Sequence, residues 1–222
     1  MKKRVCIGGG NVPRYMNGVL LKHETKEIDE EIVRLANKEN PKFVFISMAS
    51  YHPEEYFEGV NKVYTELGCQ IVHLDPNRPF EELKEEILSA DIVYVGAGDN
   101  KLLFSRLKET RIDELLIEAY NKGIVCAGIS AGSYCWFKYT YSLLEGLNVI
   151  NAVNCVHYDE KDEASKEKLY SVVKDNNLIG YAIENCVALE FLDDEIKIIK
   201  SDNTKNAYKI TCVNNKIIEE KM

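Results

Sequence analysis

No stretch of the 222-residue chain reaches the roughly 18 consecutive apolar residues of a membrane span, so a membrane protein is not expected. Positive charge is also scarce. The 28 Lys and Arg stand against 36 Asp and Glu, a net charge of −8, which leaves no basic footprint for nucleic acid. Neither CxxC nor HExxH occurs, and Cys155-Val156-His157 has no further ligand at metal spacing, so no metal or other cofactor is expected. Low-complexity stretches, Pro/Ser-rich linkers and repeats at solenoid spacing are missing, and residues 1–222 read as one domain. Lys2, Lys3 and Arg4 could open a signal peptide, but Gly8, Gly9 and Gly10 follow where its apolar core should run. The seven cysteines, an odd number scattered from Cys6 to Cys212, read as reduced thiols of a cytoplasmic protein.

What is present is an alternation. Short β-branched runs at Arg4–Ile7, Phe43–Met48, Gln70–Leu74, Asp91–Val95 and Ile124–Ile129 are separated by amphipathic stretches. Glu27–Glu39, for instance, repeats Ile28, Ile32 and Leu35 at helical spacing. Strands apolar on both faces and alternating with helices predict a parallel sheet between helical layers. Beyond Val156 the rhythm changes. Glu163–Lys174 reads as a helix, but Leu178–Ile183, Val187–Leu192, Ile196–Lys200, Ala207–Val213 and Ile217–Glu219 read as strands. Asp193-Asp194 and Asn214-Asn215 are the expected hairpin turns. The fold class is therefore α/β, a three-layer sandwich with a mostly parallel sheet and antiparallel strands toward the C-terminus.

The sharpest chemical signal is Gly128-Ile129-Ser130-Ala131-Gly132, where a buried strand gives way to a helix. A serine on so tight a turn is pushed out of the sheet, and small flanking residues are needed for the chain to double back. The Ala131 N–H at the helix start can stabilise an oxyanion. A serine hydroxyl needs a base. Of the four histidines only His157 follows the serine, at the end of the predicted Ala152–Val156 strand, whereas His23, His52 and His73 precede it. Strand ends of parallel sheets border the ligand crevice, and this edge would bring His157 to Ser130. Glu184, directly after Leu178–Ile183, is the expected acid, while Glu145, Asp159 and Glu160 read as solvated loop residues. Gly96-Ala97-Gly98-Asp99-Asn100 lets the backbone approach a ligand, with Gly98 N–H as a second oxyanion donor; it is neither a complete dinucleotide fingerprint nor a P-loop.

Together these residues resemble the peptidase E and cyanophycinase family of serine peptidases. Tyr94–Asn100 is similar to that family's glycine turn, Gly128–Gly132 to its nucleophile turn, Glu145-Gly146-Leu147 to its Asp-Gly-Leu segment and His157-Tyr158-Asp159 to its His-Tyr segment. Gly180–Leu189 is similar to the segment supplying the acid, with Glu184 the best match and Asn185 in a place where the family often has a second acid. The resemblance implies a class I glutamine amidotransferase-like, flavodoxin-like fold, a Ser130-His157-Glu184 triad and a short-peptide substrate. It also implies a monomer or homodimer, with Asp99 and Asn100 lining the substrate site. Aspartyl dipeptidases of the family read an N-terminal Asp with an arginine on the helix after the His; here that helix offers Lys166, Lys168 and Lys174, with Lys168 the chosen candidate. Arg14, near the first glycine turn, is the alternative cation. An esterase with the same elbow, an amidotransferase with a Cys nucleophile and a catalytically silent binding protein remain open rivals. Chain order counts against the first, and the lack of a Cys on the elbow against the second.

Overall fold

The computed structural model describes residues 1–13, 15–16, 19–193 and 195–222, and the side chains of residues 15, 16, 19 and 20 are not described. Arg14 and one half of the Asp193-Asp194 turn thus lie outside the described residues. In chain order the first elements are β1 (Lys3–Ile7), the short hairpin β2 (Tyr15–Met16) and β3 (Val19–Leu20), α1 (Lys26–Ala36), β4 (Lys42–Ile46) and α2 (Pro53–Glu66). Then come β5 (Gln70–His73), α3 (Phe80–Leu88), β6 (Ile92–Val95), α4 (Asn100–Thr110), α5 (Ile112–Lys122), β7 (Val125–Ile129) and α6 (Ala131–Tyr134). The last part holds β8 (Phe137–Thr140), β9 (Ile150–Val156), a 3₁₀ turn (Tyr158–Glu160), α7 (Glu163–Asn176), β10 (Gly180–Ile183), β11 (Val187–Leu192), β12 (Glu195–Lys200), β13 (Ala207–Val213) and β14 (Lys216–Lys221).

The seven-stranded main sheet has the order β12-β11-β1-β7-β6-β4-β5, with the five strands from β1 to β5 parallel and β11 and β12 antiparallel at one edge. Its two faces follow from side-chain alternation along each strand. Val5, Ile7, Phe43 and Phe45 pack with Ile28, Ile32, Val60 and Val63 of α1 and α2. The intervening Cys6, Val44 and Ile46 pack with Leu83, Leu103 and Leu116 of α3, α4 and α5. Burying one such aliphatic side chain contributes about 1.5–3 kcal/mol, so strands apolar on both faces are stable only with helices on both sides. Helix α1 is set by its termini as well as its stripe: Glu27 and Asp29 lie in its first turn, Arg34 in its last, and left-handed Asn37 caps it.

The sandwich is as expected, but the C-terminal strands do not simply extend one sheet. β8, β9, β10, β13 and β14 form a second, five-stranded sheet, while β11 and β12 return to the main one beside β1. Strand β8, directly after the elbow, and the β2–β3 hairpin went unread in the sequence. On one face of the second sheet Val153, Cys155 and Ile210 pack with Leu169 and Val173 of α7; on the other, Ala152, Tyr181 and Ile183 join the core under α3 to α5. Asn214 and Asn215 form the expected turn, both at positive φ, +49° and +66°.

Candidate active site

Ser130, between β7 and α6, has φ +53° and ψ −112°, a region that costs a non-glycine residue about 1–3 kcal/mol and that the surroundings must impose. They do so from three sides. Ser130 N–H donates to Ile7 O at 3.1 Å, its carbonyl accepts from the N–H groups of Ser133 and Tyr134 at 3.0 Å, and both flanking glycines lie against backbone. A Cβ on Gly128 would overlap the Gly132 carbonyl, and one on Gly132 would overlap Val95 O. The elbow is therefore pressed onto the end of β6, and only glycines fit.

His157 lies on the second sheet, not on the edge that carries the serine. It follows β9 in a left-handed conformation, φ +51°. Two bonds bring it across: His157 N–H donates to Gly8 O at 3.1 Å, and the preceding Val156 N–H donates to the Tyr134 hydroxyl of α6 at 3.2 Å. Its Nε2 then stands 2.9 Å from Ser130 Oγ, a hydrogen-bonded nucleophile–base pair built across two sheets.

The expected acid is not part of it. Glu184 accepts from Asn206 N–H at 2.7 Å and from the Tyr208 hydroxyl at 3.2 Å, fastening the start of β13. The neighbouring Asn185 takes its place, with Oδ1 2.7 Å from His157 Nδ1. β10 ends at Ile183, and in the turn to β11 that follows it Asn185 faces the imidazole while the Glu184 carboxylate is held on Asn206 and Tyr208. Nor are Asp159 and Glu160 merely solvated. Asp159 Oδ1 accepts Asn185 N–H at 3.0 Å, and its Oδ2 accepts Lys205 Nζ at 2.5 Å and Asn185 Nδ2 at 3.4 Å. Glu160 Oε1 accepts Asn185 Nδ2 at 2.6 Å. Burial acts to raise the Asp159 pKa, but the Lys205 ammonium and the Asn185 N–H outweigh it and the carboxyl is held below its ordinary value.

These carboxylates decide the chemistry of the pair. Ionised, they only accept, so they take the Asn185 amide hydrogens and leave Oδ1 to His157. The imidazole must then carry its proton on Nδ1, which leaves the Nε2 lone pair for the Ser130 hydroxyl proton. Sequence reasoning also missed Gly9, whose Cβ would overlap both Asn185 Oδ1 and the His157 ring. The Gly8–Gly10 run after the first strand was the available signal, since a glycine run at the carboxyl end of a parallel strand marks close approach.

Ala131 opens α6, and as a first helical residue its N–H has no intrahelical acceptor. Gly98, at φ +145°, is exposed in the turn between β6 and α4, with Asp99 N–H bonded to Ala49 O at 2.9 Å. Asp99 itself caps α4, accepting Leu102 N–H at 2.8 Å, and half-buried Asn100 begins that helix. Lys168 is exposed on α7 near Asp162, whereas Lys166 pairs with Glu163 of the same helix at 3.3 Å, its Nζ 5.4 Å from the ring of Tyr158. The Glu145-Gly146-Leu147 segment lines a separate crevice with Phe104, Leu107 and Cys135. Among the described residues no cluster of His, Cys, Asp and Glu could hold a metal ion, and no helix is long and apolar enough to cross a membrane.

Comparison with known proteins gives a family and a fold. The model of a family described as peptidase family S51 matches residues 15–199. An uncharacterized peptidase of Bacillus subtilis (strain 168), YgaJ, is 29% identical over 231 residues, covering 99% of this chain and 96% of its own. Among solved structures, one of a peptidase from an acI-B1 Actinobacterium superposes with a TM-score of 0.74 at 17% identity, covering 100% of this chain and 97% of that one. Another, described as a peptidase E protein from Listeria monocytogenes EGD-e, gives 0.69 at 20% identity, covering 90% and 98%.

Proposed function

The chain belongs to peptidase family S51, and on that premise we propose that it is a cytoplasmic serine exopeptidase that cleaves short peptides through Ser130, His157 and Asn185. The observation that carries the reading is the 2.9 Å approach of His157 Nε2 to the hydroxyl of a serine held at positive φ. Ser130 Oγ attacks the scissile carbonyl as Nε2 takes its proton. The oxyanion develops toward the N–H groups of Ala131 and Gly98, the imidazolium protonates the leaving amine, and water hydrolyses the acyl-enzyme by the same steps in reverse. An amide at Nδ1 orients the imidazole without adding negative charge beside the imidazolium, the arrangement that Cys-His-Asn proteases use with a different nucleophile. The exopeptidase part rests on the resemblance to peptidase E, and the cytoplasmic part on the odd, scattered cysteines.

First-position selectivity is expected to be loose. Lysines are the cations of α7, and a lysine pairs with a substrate carboxylate as a point charge, without arginine's two-pronged fork. The test has two arms. A fluorophosphonate should label wild type at Ser130 and leave Ser130→Ala unlabelled, with kcat reduced on the order of 10⁴–10⁶ in that variant. Dipeptides led by Asp, Glu and neutral residues should be cleaved with similar kcat/KM, and N-terminally blocked long peptides should not. Wild-type activity in Ser130→Ala would end the peptidase reading, and cleavage of blocked chains would end the exopeptidase part.

A further inference from the structure

We propose that Glu160 is a positioning residue of this site, acting through Asn185; the inference rests on the serine peptidase reading above. A carboxylate beside His157 would present an oxygen whichever way it turned, but an amide has unlike ends. If the Asn185 amide flipped, its NH₂ would face Nδ1, the imidazole would move its proton to Nε2, and the Ser130 hydroxyl would meet an N–H in place of a lone pair. The base would be lost with every atom still in position. A neutral orienter therefore needs something that fixes which end faces the histidine.

Glu160 does this. Its Oε1 takes the Nδ2 of Asn185 at 2.6 Å, whereas Asp159 reaches the same nitrogen at 3.4 Å and is engaged by Lys205 Nζ and Asn185 N–H. Local geometry supplies the carboxylate. The 3₁₀ turn after His157 closes with Glu160 N–H on His157 O at 3.0 Å, so the residue that fixes the amide is carried on the same turn as the base it serves. Asn185 and Glu160 thus act as one unit, a donor and an acceptor whose places can be exchanged.

The exchange is the test, read as the rate of fluorophosphonate inactivation, separated into kinact and KI, and as nitrogen NMR of the His157 imidazole. Glu160→Ala should lower kinact roughly tenfold to a hundredfold, the scale of one hydrogen bond to a charged group, with KI and melting temperature little changed and the His157 proton shifted toward Nε2. Asn185→Asp alone should also be slow, because it sets a third carboxylate against Asp159 and Glu160 with no donor between them. Glu160→Gln combined with Asn185→Asp restores the bond with its direction reversed, and should recover kinact to within about threefold of wild type. A wild-type rate and tautomer in Glu160→Ala, or a double variant no faster than Asn185→Asp in a protein that melts normally, would overturn the inference while leaving the peptidase reading intact. If wild type is not labelled at Ser130, both fall.

Discussion

Asn185 Oδ1 stands 2.7 Å from His157 Nδ1, so the imidazole that faces Ser130 is held by a neutral amide. The carboxylate one residue earlier, Glu184, is bonded to the start of β13 and faces away.

This separation makes the two residues distinguishable by substitution. Asn185→Ala should cost kcat a loss within the ~10²–10⁴ that a positioned base contributes, with little change in melting temperature. Glu184→Gln should do the reverse: near-normal kcat, and a stability loss of about 1 kcal/mol from weakened bonds to Asn206 and Tyr208. Steady-state kinetics paired with thermal melting decide it. A dead Glu184→Gln beside an active Asn185→Ala would return the orienting role to Glu184.

Gly9 gives a steric test of the same pair. Its backbone is not among those at positive φ, so alanine is tolerated locally, yet the added methyl would overlap Asn185 Oδ1 and His157 Cε1 and Nδ1. Gly9→Ala should therefore lose at least about 10² in kcat by displacing the base, while overpacking costs stability only about 1–3 kcal/mol. Full activity in a folded Gly9→Ala would show that the imidazole has room this structure does not give it.

A third expectation concerns pH and lies away from the site. Glu190 on β11 is fully buried, with Lys197 Nζ 3.8 Å from its Oε2, and burial first, then Glu31, push its pKa above the ordinary value. A carboxyl whose pKa is raised by folding favours the folded state at low pH, and that favour is lost as pH rises. Glu190→Gln should accordingly melt above wild type at about pH 8, by about 2–4 °C for each kcal/mol of relieved penalty, and the gap should close as pH falls below the ordinary 4.5. A variant that melts lower than wild type at high pH would show that the Lys197 pairing outweighs burial.

What the sequence determined by itself was local. The elbow at Ser130 was legible because its requirement for small neighbours falls on contiguous residues, Gly128 and Gly132, and the parallel layers because apolar runs without polar alternation need cover on both faces. His157 was found by being the one histidine after the serine. Tertiary structure decided which residues meet across chain separation. Whether residue 184 or 185 faces an imidazole 28 positions away depends on where β10 stops beside β9 and how the chain turns after Ile183, and no local pattern records that. The same holds for the assignment of β9 and β10 to a second sheet. Alternating apolar residues report that a strand is buried, not which strand it pairs with. The places of Gly9 and Glu160 follow from that pairing, because both act on a histidine and an asparagine that the parallel pairing of β9 with β10 brings side by side.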